Sequence, residues 1–245
     1  MMNILISQQV PSNLLPYKEI SERYGVNFDF KPFFKIEPLS TAEFRTQRLD
    51  ISAYTAIVFS SRLGIDAFFE LAEQLRVKIP DTMKYFCTTE VVAIYLQKHI
   101  TYRKRKIFYG DGSSASLVNI IGNKHKDEKF LITTSDNANS ETITKLFTTA
   151  GLKYDVAVLL KSVSQDLKDL DLKKYSLAVL YNAYDVKSLM ENFPDFKQGD
   201  LKFIAYGRNI VKAMESAGLQ IAMQGPSPEA PSAAKTIELY LKNTK

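Results

Sequence analysis

The stretches KYFCTTEVVAIYLQKH (residues 84–99) and KFIAYGRNIVKAMESAG (residues 202–218) follow the same plan. Each contains a basic residue, a short apolar strand, a small or polar corner and an amphipathic helix. A chain of 245 residues therefore carries one structural unit twice. Because self-similarity within a chain is a signature of repeated architecture, this recurrence predicts a fold built from an internal repeat.

Two further pairs of stretches match in the same order along the chain. ILIS (4–7) resembles FLIT (130–133), and YTAIVFSS (54–61) resembles YSLAVLYN (175–182). Since three ordered matches are unlikely to arise by chance, the sequence predicts two related halves, at about 3–125 and about 129–245.

Short apolar runs alternate with helical patterns throughout the chain. Runs such as AIVF (56–59) and LAVL (177–180) are apolar at every position, which is typical of parallel strands covered on both faces. The alternation predicts the α/β class, with parallel sheets flanked by helices. The predicted strands are Ile4–Ser7, Asn27–Pro32, Ala56–Ser60, Lys84–Cys87, Lys106–Tyr109, Phe130–Thr133, Asp155–Leu160, Ala178–Tyr181, Phe203–Ala205 and Gln220–Met223.

Two segments interrupt this alternation. KPFFKIEPLS (31–40) and VLLKSVSQDLKDL (158–170) follow the second strand of each half and have no helical period. Such extended segments are candidates to carry the chain from one domain to another.

Composition limits the classes of function. The net charge of +5 and the isoelectric point near 9.0 favour an anionic partner. A single cysteine, Cys87, excludes an intramolecular disulfide, and the two histidines do not form a zinc-ligand pattern with it. The composition does not decide whether carboxylates alone form a metal site. MMNILISQQVPSN lacks the pattern of a signal peptide, and we expect a cytoplasmic protein.

The densest basic run is YRKRK (102–106). One interpretation is a nucleic-acid patch, which would bind with a steep salt dependence. The other is a solvated, charged edge strand. The run is short and has no second basic patch beside it in the sequence, which favours the second interpretation.

The ordered motifs resemble those of the uroporphyrinogen-III synthases. The similarity includes the crossover KPFFKIEPL, the strand and Ser-rich turn YTAIVFSSRLGIDAFF, and the unit KYFCTTEVVAIYLQKH. It continues through the strand and glycine turn FIAYGRNIVKAMESAGLQI and the terminal QGPSPEAPSAAKTIELYL. The resemblance covers essentially the whole chain, and its motifs are more specific as an ordered set than singly.

The resemblance implies two α/β lobes joined by a two-stranded crossover linker. Lobe 1 would comprise 1–35 and 165–245, and lobe 2 would comprise 36–164. It also implies a lyase that loses water from hydroxymethylbilane, inverts its last pyrrole ring through a spiro intermediate and closes the macrocycle. The family uses no cofactor or metal. The expected protein is a monomer that receives its substrate from hydroxymethylbilane synthase and binds neither nucleic acid nor membrane.

The strand-to-helix corners are the predicted substrate-binding positions. Ligands of parallel α/β sheets lie beyond the carboxyl ends of the strands, where helix N-termini favour anions. The substrate carries eight carboxylates, which suits such donors. Simple helix capping is the alternative role for each Ser, Thr or Asn. The candidates are Ser7, Gln8, Ser60, Ser61, Arg62, Thr88, Thr89, Thr134, Asn182, Tyr184, Tyr206, Gly207, Arg208 and Asn209.

Arg62 and Arg208 are the more specific candidates in this set. Arginine does not cap a helix N-terminus, and its charge there opposes the helix dipole. Its planar guanidinium suits a carboxylate ligand. A solvent-facing arginine is the alternative at each position.

This chain departs from the family at three places. Leu160 stands where the family often has a tyrosine thought to assist loss of the hydroxyl group. The first corner lacks the frequent arginine, and Arg208 and Asn209 replace the usual Pro and Thr. No catalytic residue is therefore assigned. The alternative function is a non-catalytic protein that binds a polyanion or tetrapyrrole on the same scaffold.

Overall fold

The chain folds into two compact units. The structure is a computed structural model that describes residues 2–138 and 140–244, and for Arg208 the backbone alone. Met1–Lys35 and Val163–Lys245 form unit 1, and Ile36–Ser162 form unit 2. Unit 2 is therefore a continuous segment inserted into the chain of unit 1.

Strands and helices alternate along most of the chain. The strands are β1 (Met2–Ile6), β2 (Val26–Phe30), β3 (Phe34–Pro38), β4 (Ala56–Phe59), β5 (Lys84–Cys87), β6 (Ile107–Tyr109), β7 (Lys129–Ser135), β8 (Lys153–Ser164), β9 (Leu177–Leu180), β10 (Lys202–Tyr206) and β11 (Ile221–Gly225). The helices are α1 (Leu15–Tyr24), α2 (Thr41–Arg45), α3 (Arg62–Gln74), α4 (Glu90–Tyr95), α5 (Ser114–Ile121), α6 (Glu141–Thr149), α7 (Ala183–Asn192), α8 (Arg208–Ser216) and α9 (Ala233–Thr244).

Each unit is built around one sheet. The sheet of unit 1 has the order β11-β10-β9-β1-β2, and its neighbouring strands are parallel. The sheet of unit 2 has the order β3-β8-β7-β4-β5-β6, and β8 to β6 are parallel. These two largely parallel sheets with flanking helices confirm the predicted α/β class.

The same strand order occurs in both sheets. Read from β2, unit 1 runs β2-β1-β9-β10-β11, and read from β8, unit 2 runs β8-β7-β4-β5-β6. Each of these five-strand orders thus combines two strands from one predicted half of the sequence with three strands from the other, and β3 of unit 2 lies outside the comparison. KYFCTTEVVAIYLQKH and KFIAYGRNIVKAMESAG form β5 with α4 and β10 with α8, which occupy equivalent places in the two orders.

Both faces of each sheet are covered by apolar side chains. In β1, Leu5 belongs to the core on one face, whereas Ile4 and Ile6 belong to the core on the other. In β4, Ile57 and Val58 are divided between two cores in the same way. Because side chains alternate across a strand, a run buried on both faces must be apolar at each position.

The structure corrects the prediction in the two extended segments. KPFFKIEPLS contains β3, and β8 continues beyond the predicted Leu160 to Ser164. The two strands are neighbours in the sheet, and the boundaries of both units fall within them. Among the described residues, no helix is long and apolar enough to span a bilayer.

Candidate functional site

The predicted binding residues lie at the carboxyl edges of the two sheets. In unit 1 this edge includes the ends of the neighbouring strands β1, β9 and β10, and in unit 2 the ends of β4, β5 and β7. Helices α3, α4, α7 and α8 begin at these ends. One polar set therefore belongs to each unit. Unit 1 has Ser7, Gln8, Asn182, Tyr184, Tyr206, Gly207, Arg208 and Asn209, and unit 2 has Ser60, Ser61, Arg62, Thr88, Thr89 and Thr134.

Two residues of the unit 2 set cap helices. The Ser61 hydroxyl accepts a hydrogen bond from the Gly64 N–H of α3 at 3.0 Å. The Thr89 hydroxyl accepts one from the Val92 N–H of α4 at 3.4 Å. Capping explains why these residue types stand at these corners.

Arg62 is the first residue of α3, and its side chain is exposed. Its guanidinium carbon lies 5.6 Å from the centre of the Tyr95 ring. The Tyr95 hydroxyl in turn donates to Asp66 at 2.8 Å. Arg62 forms no ion pair with a carboxylate in the described part of the chain, so its hydrogen-bond donors remain available to an anion.

The remaining positions of the unit 2 set differ in exposure. Ser60 is exposed and Thr88 is half-buried. Thr134 was predicted in a corner, but it lies within β7, which extends to Ser135. The half-buried Thr134 hydroxyl lies 3.4 Å from the Ser135 carbonyl oxygen, to which it donates a long hydrogen bond.

In unit 1, Ser7 lies directly after β1 and is 4% exposed. Its hydroxyl donates to the Asp185 carboxylate at 2.7 Å. This proton is therefore engaged within the protein, and the hydroxyl oxygen remains as an acceptor. The neighbouring Gln8 is exposed.

Asp185 is a buried carboxylate that the sequence analysis did not include. Its Oδ2 also accepts hydrogen bonds from the backbone N–H groups of Tyr181 at 2.8 Å and Asn182 at 3.1 Å. Its Oδ1 is buried without a described hydrogen-bond partner. Burial raises the pKa of Asp185 to about 6, although its three donors act in the opposite direction.

The capping box is the sequence signal that could have found Asp185. Asn182 and Asp185 have the spacing at which the first residue caps a helix and the fourth returns to the N-cap N–H. The Asn182 side chain accepts from the Tyr184 N–H at 2.8 Å. Lys187 donates to the Tyr184 hydroxyl at 3.2 Å, and its ammonium nitrogen lies 4.6 Å from the ring centre.

Hydrogen bonds fix the carboxyl end of β10. The Tyr206 hydroxyl donates to the Pro231 carbonyl at 3.0 Å. Gly207 has φ 132°, a backbone conformation accessible to glycine, and its N–H donates to the Gly225 carbonyl at 2.7 Å. Asn209 is exposed. The Arg208 side chain lies outside the described part of the structure, so its predicted role stays a prediction.

Leu160 occupies the position at which the family resemblance led us to look for a tyrosine. Its side chain is 6% exposed and packs in the core of unit 2. The nearest tyrosine in sequence, Tyr154, donates to the Thr144 carbonyl at 3.2 Å and lies 2.8 Å from the Thr148 hydroxyl. Tyr154 is thus engaged elsewhere and does not substitute for a phenol at position 160.

The surroundings of Cys87 and His99 indicate structural roles for both side chains. Burial raises the pKa of Cys87 to about 12, which keeps this thiol protonated. The His99 Nε2 lies 2.7 Å from an Asp66 oxygen, and its ring stacks on Phe69. Within 2–138 and 140–244, no group of three or more His, Cys, Asp or Glu residues could hold a metal ion.

The sequence profile of the family HEM4, uroporphyrinogen-III synthase HemD, matches residues 16–235. The chain belongs to the uroporphyrinogen-III synthase family. The predicted family membership is thereby confirmed, and the matched region includes every candidate position except Ser7 and Gln8.

Comparison with solved structures supports the fold through the protein of Helicobacter pylori. The uroporphyrinogen-III synthetase of Helicobacter pylori is 15% identical, with a TM-score of 0.54 over 99% of this chain and 100% of that chain. A mutant uroporphyrinogen III synthase of Thermus thermophilus is 13% identical, with a TM-score of 0.49 over 99% of this chain and 100% of that chain. No curated protein sequence matches the chain.

Proposed function

We propose that this protein is an active uroporphyrinogen-III synthase, a cyclising hydro-lyase. It would take hydroxymethylbilane, remove the terminal hydroxyl group as water and close the macrocycle with the last pyrrole ring inverted. The family match over residues 16–235 carries this proposal. The polar carboxyl edges support it, because the substrate is an anion and helices α3, α7 and α8 begin at those edges.

The chain's own contribution would be binding and conformational control. Backbone N–H groups at the helix starts and the exposed side chains of Ser60, Arg62 and Asn209 are donors for substrate carboxylates. Loss of water leaves an azafulvene cation, and the linear substrate closes spontaneously to the uninverted isomer. Holding the last ring in the inverting geometry is therefore the decisive step, and it requires orientation of the substrate.

The reaction does not depend on a phenol at position 160 in this proposal. Leu160 has no proton to donate and is buried in the core. We assign no catalytic acid. The cytoplasmic location, the monomeric state and the transfer of substrate from hydroxymethylbilane synthase belong to the proposal and rest on the sequence and the family resemblance.

The first prediction tests turnover directly. We expect the protein to convert hydroxymethylbilane, generated in situ, predominantly to isomer III, because the oriented substrate closes with the inverted ring. The products are oxidised, and isomers I and III are separated chromatographically. Formation of isomer I alone, at the rate without protein and with well-folded protein, would contradict the proposal.

A binding protein on the same scaffold is the second candidate. The observations that favour it are the apolar Leu160 and the engaged hydroxyl of Ser7. Saturable binding of hydroxymethylbilane without any change in the isomer ratio would identify this function.

The second prediction concerns Arg62. We expect Arg62→Ala to raise the KM for hydroxymethylbilane by about tenfold, because it removes one charge-assisted hydrogen bond to a carboxylate. Folding should change little, since an exposed contact between a cation and a ring contributes only about 0.5–1 kcal/mol. Steady-state kinetics and thermal unfolding measure the two effects.

Arg76→Ala is the matched control for Arg62→Ala. Arg76 is also exposed and in unit 2, but it follows the last turn of α3, about 20 Å along the helix from Arg62. Equal KM values for the parent protein and Arg62→Ala, or equal increases in both variants, would remove Arg62 from the proposed site.

A further inference from the structure

Unit 2 contains a cavity of about 260 Å³ at the amino edge of its sheet. The segments that enter β5 and β6 line it, together with the segment that follows α4. Its lining includes Tyr85, His99, Arg103 and Lys106. A water molecule takes about 30 Å³ of liquid volume, so the cavity has room for a small ligand and several waters.

Tyr85 contributes a hydroxyl group to this lining. The residue as a whole is 3% exposed, but its hydroxyl oxygen is not among the buried polar atoms, and it forms no hydrogen bond with a described residue. Burial, with a smaller effect of Asp81, raises the pKa of Tyr85 to about 12. The phenol is therefore protonated at neutral pH and can donate a hydrogen bond into the cavity.

Two cations of the YRKRK run lie beside this donor. Arg103 and Lys106 line the cavity, and neither forms an ion pair with a described carboxylate. The fold brings both to the cavity because the turn that ends at Lys106 leads into β6, and the Lys106 carbonyl accepts from the Tyr85 N–H at 2.7 Å. Two members of the basic run thus line the same cavity as the Tyr85 side chain.

The other titratable groups in the lining are Asp81 and His99. Asp81 reduces the positive charge but lies beyond ion-pair distance of both Arg103 and Lys106, since no such pair occurs among the described residues. His99 points its Nε2 towards Asp66, at 2.7 Å, which leaves Nδ1 as its free ring nitrogen. The lining thus has two cationic side chains, Arg103 and Lys106, and one carboxylate, Asp81, and this balance of charge favours an anion.

We propose that this cavity binds a small oxyanion of the phosphate or carboxylate type, with the Tyr85 hydroxyl and the Arg103 and Lys106 side chains as its donors. The site is separate from the carboxyl edge that the proposed function uses. Thr88, at that edge, follows Tyr85 by three residues of extended chain, or about 10 Å. An occupied site would join the segment before β5 to the turn before β6. It does not require the protein to be a synthase.

The experiment is a calorimetric titration of the full chain with inorganic phosphate and, separately, with succinate at matched ionic strength. We expect saturable binding of at least one probe. Arg103→Gln combined with Lys106→Gln should weaken it by about tenfold or more, because two charge-assisted hydrogen bonds are lost. Tyr85→Phe should weaken it by about threefold or more while preserving the apolar ring in the core.

Lys104→Gln combined with Arg105→Gln is the matched control. These residues belong to the same run and carry the same charge, but they do not line the cavity. The control should bind within about twofold of the parent protein, since it retains the donors of the site. Equal weakening in both double variants would indicate diffuse attraction and overturn the proposal. Absence of saturable binding of both probes would also overturn it.

Comparison of the two probes distinguishes the sources of the anion. Tighter binding of phosphate would identify a phosphate site, and tighter binding of succinate would identify a carboxylate site. Either result supports the proposal when the double variant of Arg103 and Lys106 weakens that binding by about tenfold or more. Amide chemical shifts that change only outside residues 79–106 on titration would place the anion elsewhere and contradict it.

Discussion

We expect the free energy of unfolding of Asp185→Asn, relative to that of the parent protein, to increase by about 3 kcal/mol as the pH rises from about 4 to about 8. Burial raises the pKa of the Asp185 carboxyl from 3.8 to about 6. This is a shift of about two units, and each unit corresponds to about 1.4 kcal/mol. Asparagine has nearly the same shape and does not titrate.

The sign follows from the protons bound in each state. Between about pH 4 and about pH 6 the folded parent protein retains a proton that the unfolded chain has released. Its stability therefore falls as the pH rises through this window, and the fall ends once the folded carboxyl is ionised. The amide that replaces the carboxyl in Asp185→Asn has no such proton, so the variant lacks this contribution.

Urea unfolding at a series of pH values, followed by circular dichroism, measures both free energies. Asp195→Asn is the control for the loss of one negative charge, since Asp195 is an exposed residue of unit 1. A smaller change with pH in Asp195→Asn than in Asp185→Asn would assign the effect to the buried position. A constant difference between Asp185→Asn and the parent protein would show that Asp185 ionises as readily in the folded protein as in the unfolded chain.

Gly225→Ala should lower the free energy of unfolding by about 2–3 kcal/mol, because the added methyl group has no space. A Cβ atom at Gly225 would lie 2.6 Å from Thr236 Oγ1 and 3.0 Å from Tyr206 Cδ2. Thr236 is fully buried in α9, and its hydroxyl donates to the Ser232 carbonyl at 3.0 Å. It therefore cannot rotate away without losing this hydrogen bond.

The same substitution should also lower the proposed synthase activity. Gly225 accepts the hydrogen bond from Gly207 N–H, and Tyr206 and Gly207 belong to the carboxyl edge of unit 1. Denaturant unfolding and the isomer assay measure the two effects.

Gly25→Ala is the control for Gly225→Ala. Gly25 has φ 67°, but no atom lies within 4 Å of its added Cβ. It should cost about 1 kcal/mol, from backbone strain alone. Equal losses in the two variants would show that the contact with Thr236 relaxes easily.

The strands were predictable where burial on both faces left an unambiguous pattern. AIVF and KYFC form β4 and β5 close to their predicted bounds, because every residue except Lys84 faces one of two cores. β3 was missed because FKIEP is only partly buried and mixes charged with apolar residues. β8 was predicted too short because Lys161 and Ser162 are polar. The Ser162 N–H donates to Asp136, a distant residue that local pattern does not reveal.

The positions of the candidate site residues could be predicted from the sequence, but their hydrogen-bond partners could not. The corners could be predicted from the ends of the strands. Helix caps such as Ser61 and Asn182 could be predicted from the residue types that precede the helices. The partner of Ser7 depends on β1 lying beside β9, a long-range pairing that fixes Asp185 nearby. The contact of Tyr206 with the Pro231 carbonyl likewise depends on the path of the chain after β11.

The insertion of unit 2 into unit 1 determines the order in which the ribosome can complete the two units. Residues 36–162 are contiguous, so unit 2 can fold as soon as they have emerged. Ile4 of β1 pairs with Leu177 of β9, and this partner is synthesised only after the whole of unit 2. The side of β1 that pairs with β9 must therefore wait for its partner through most of translation, and this unpaired edge is exposed to chaperones and aggregation during that interval.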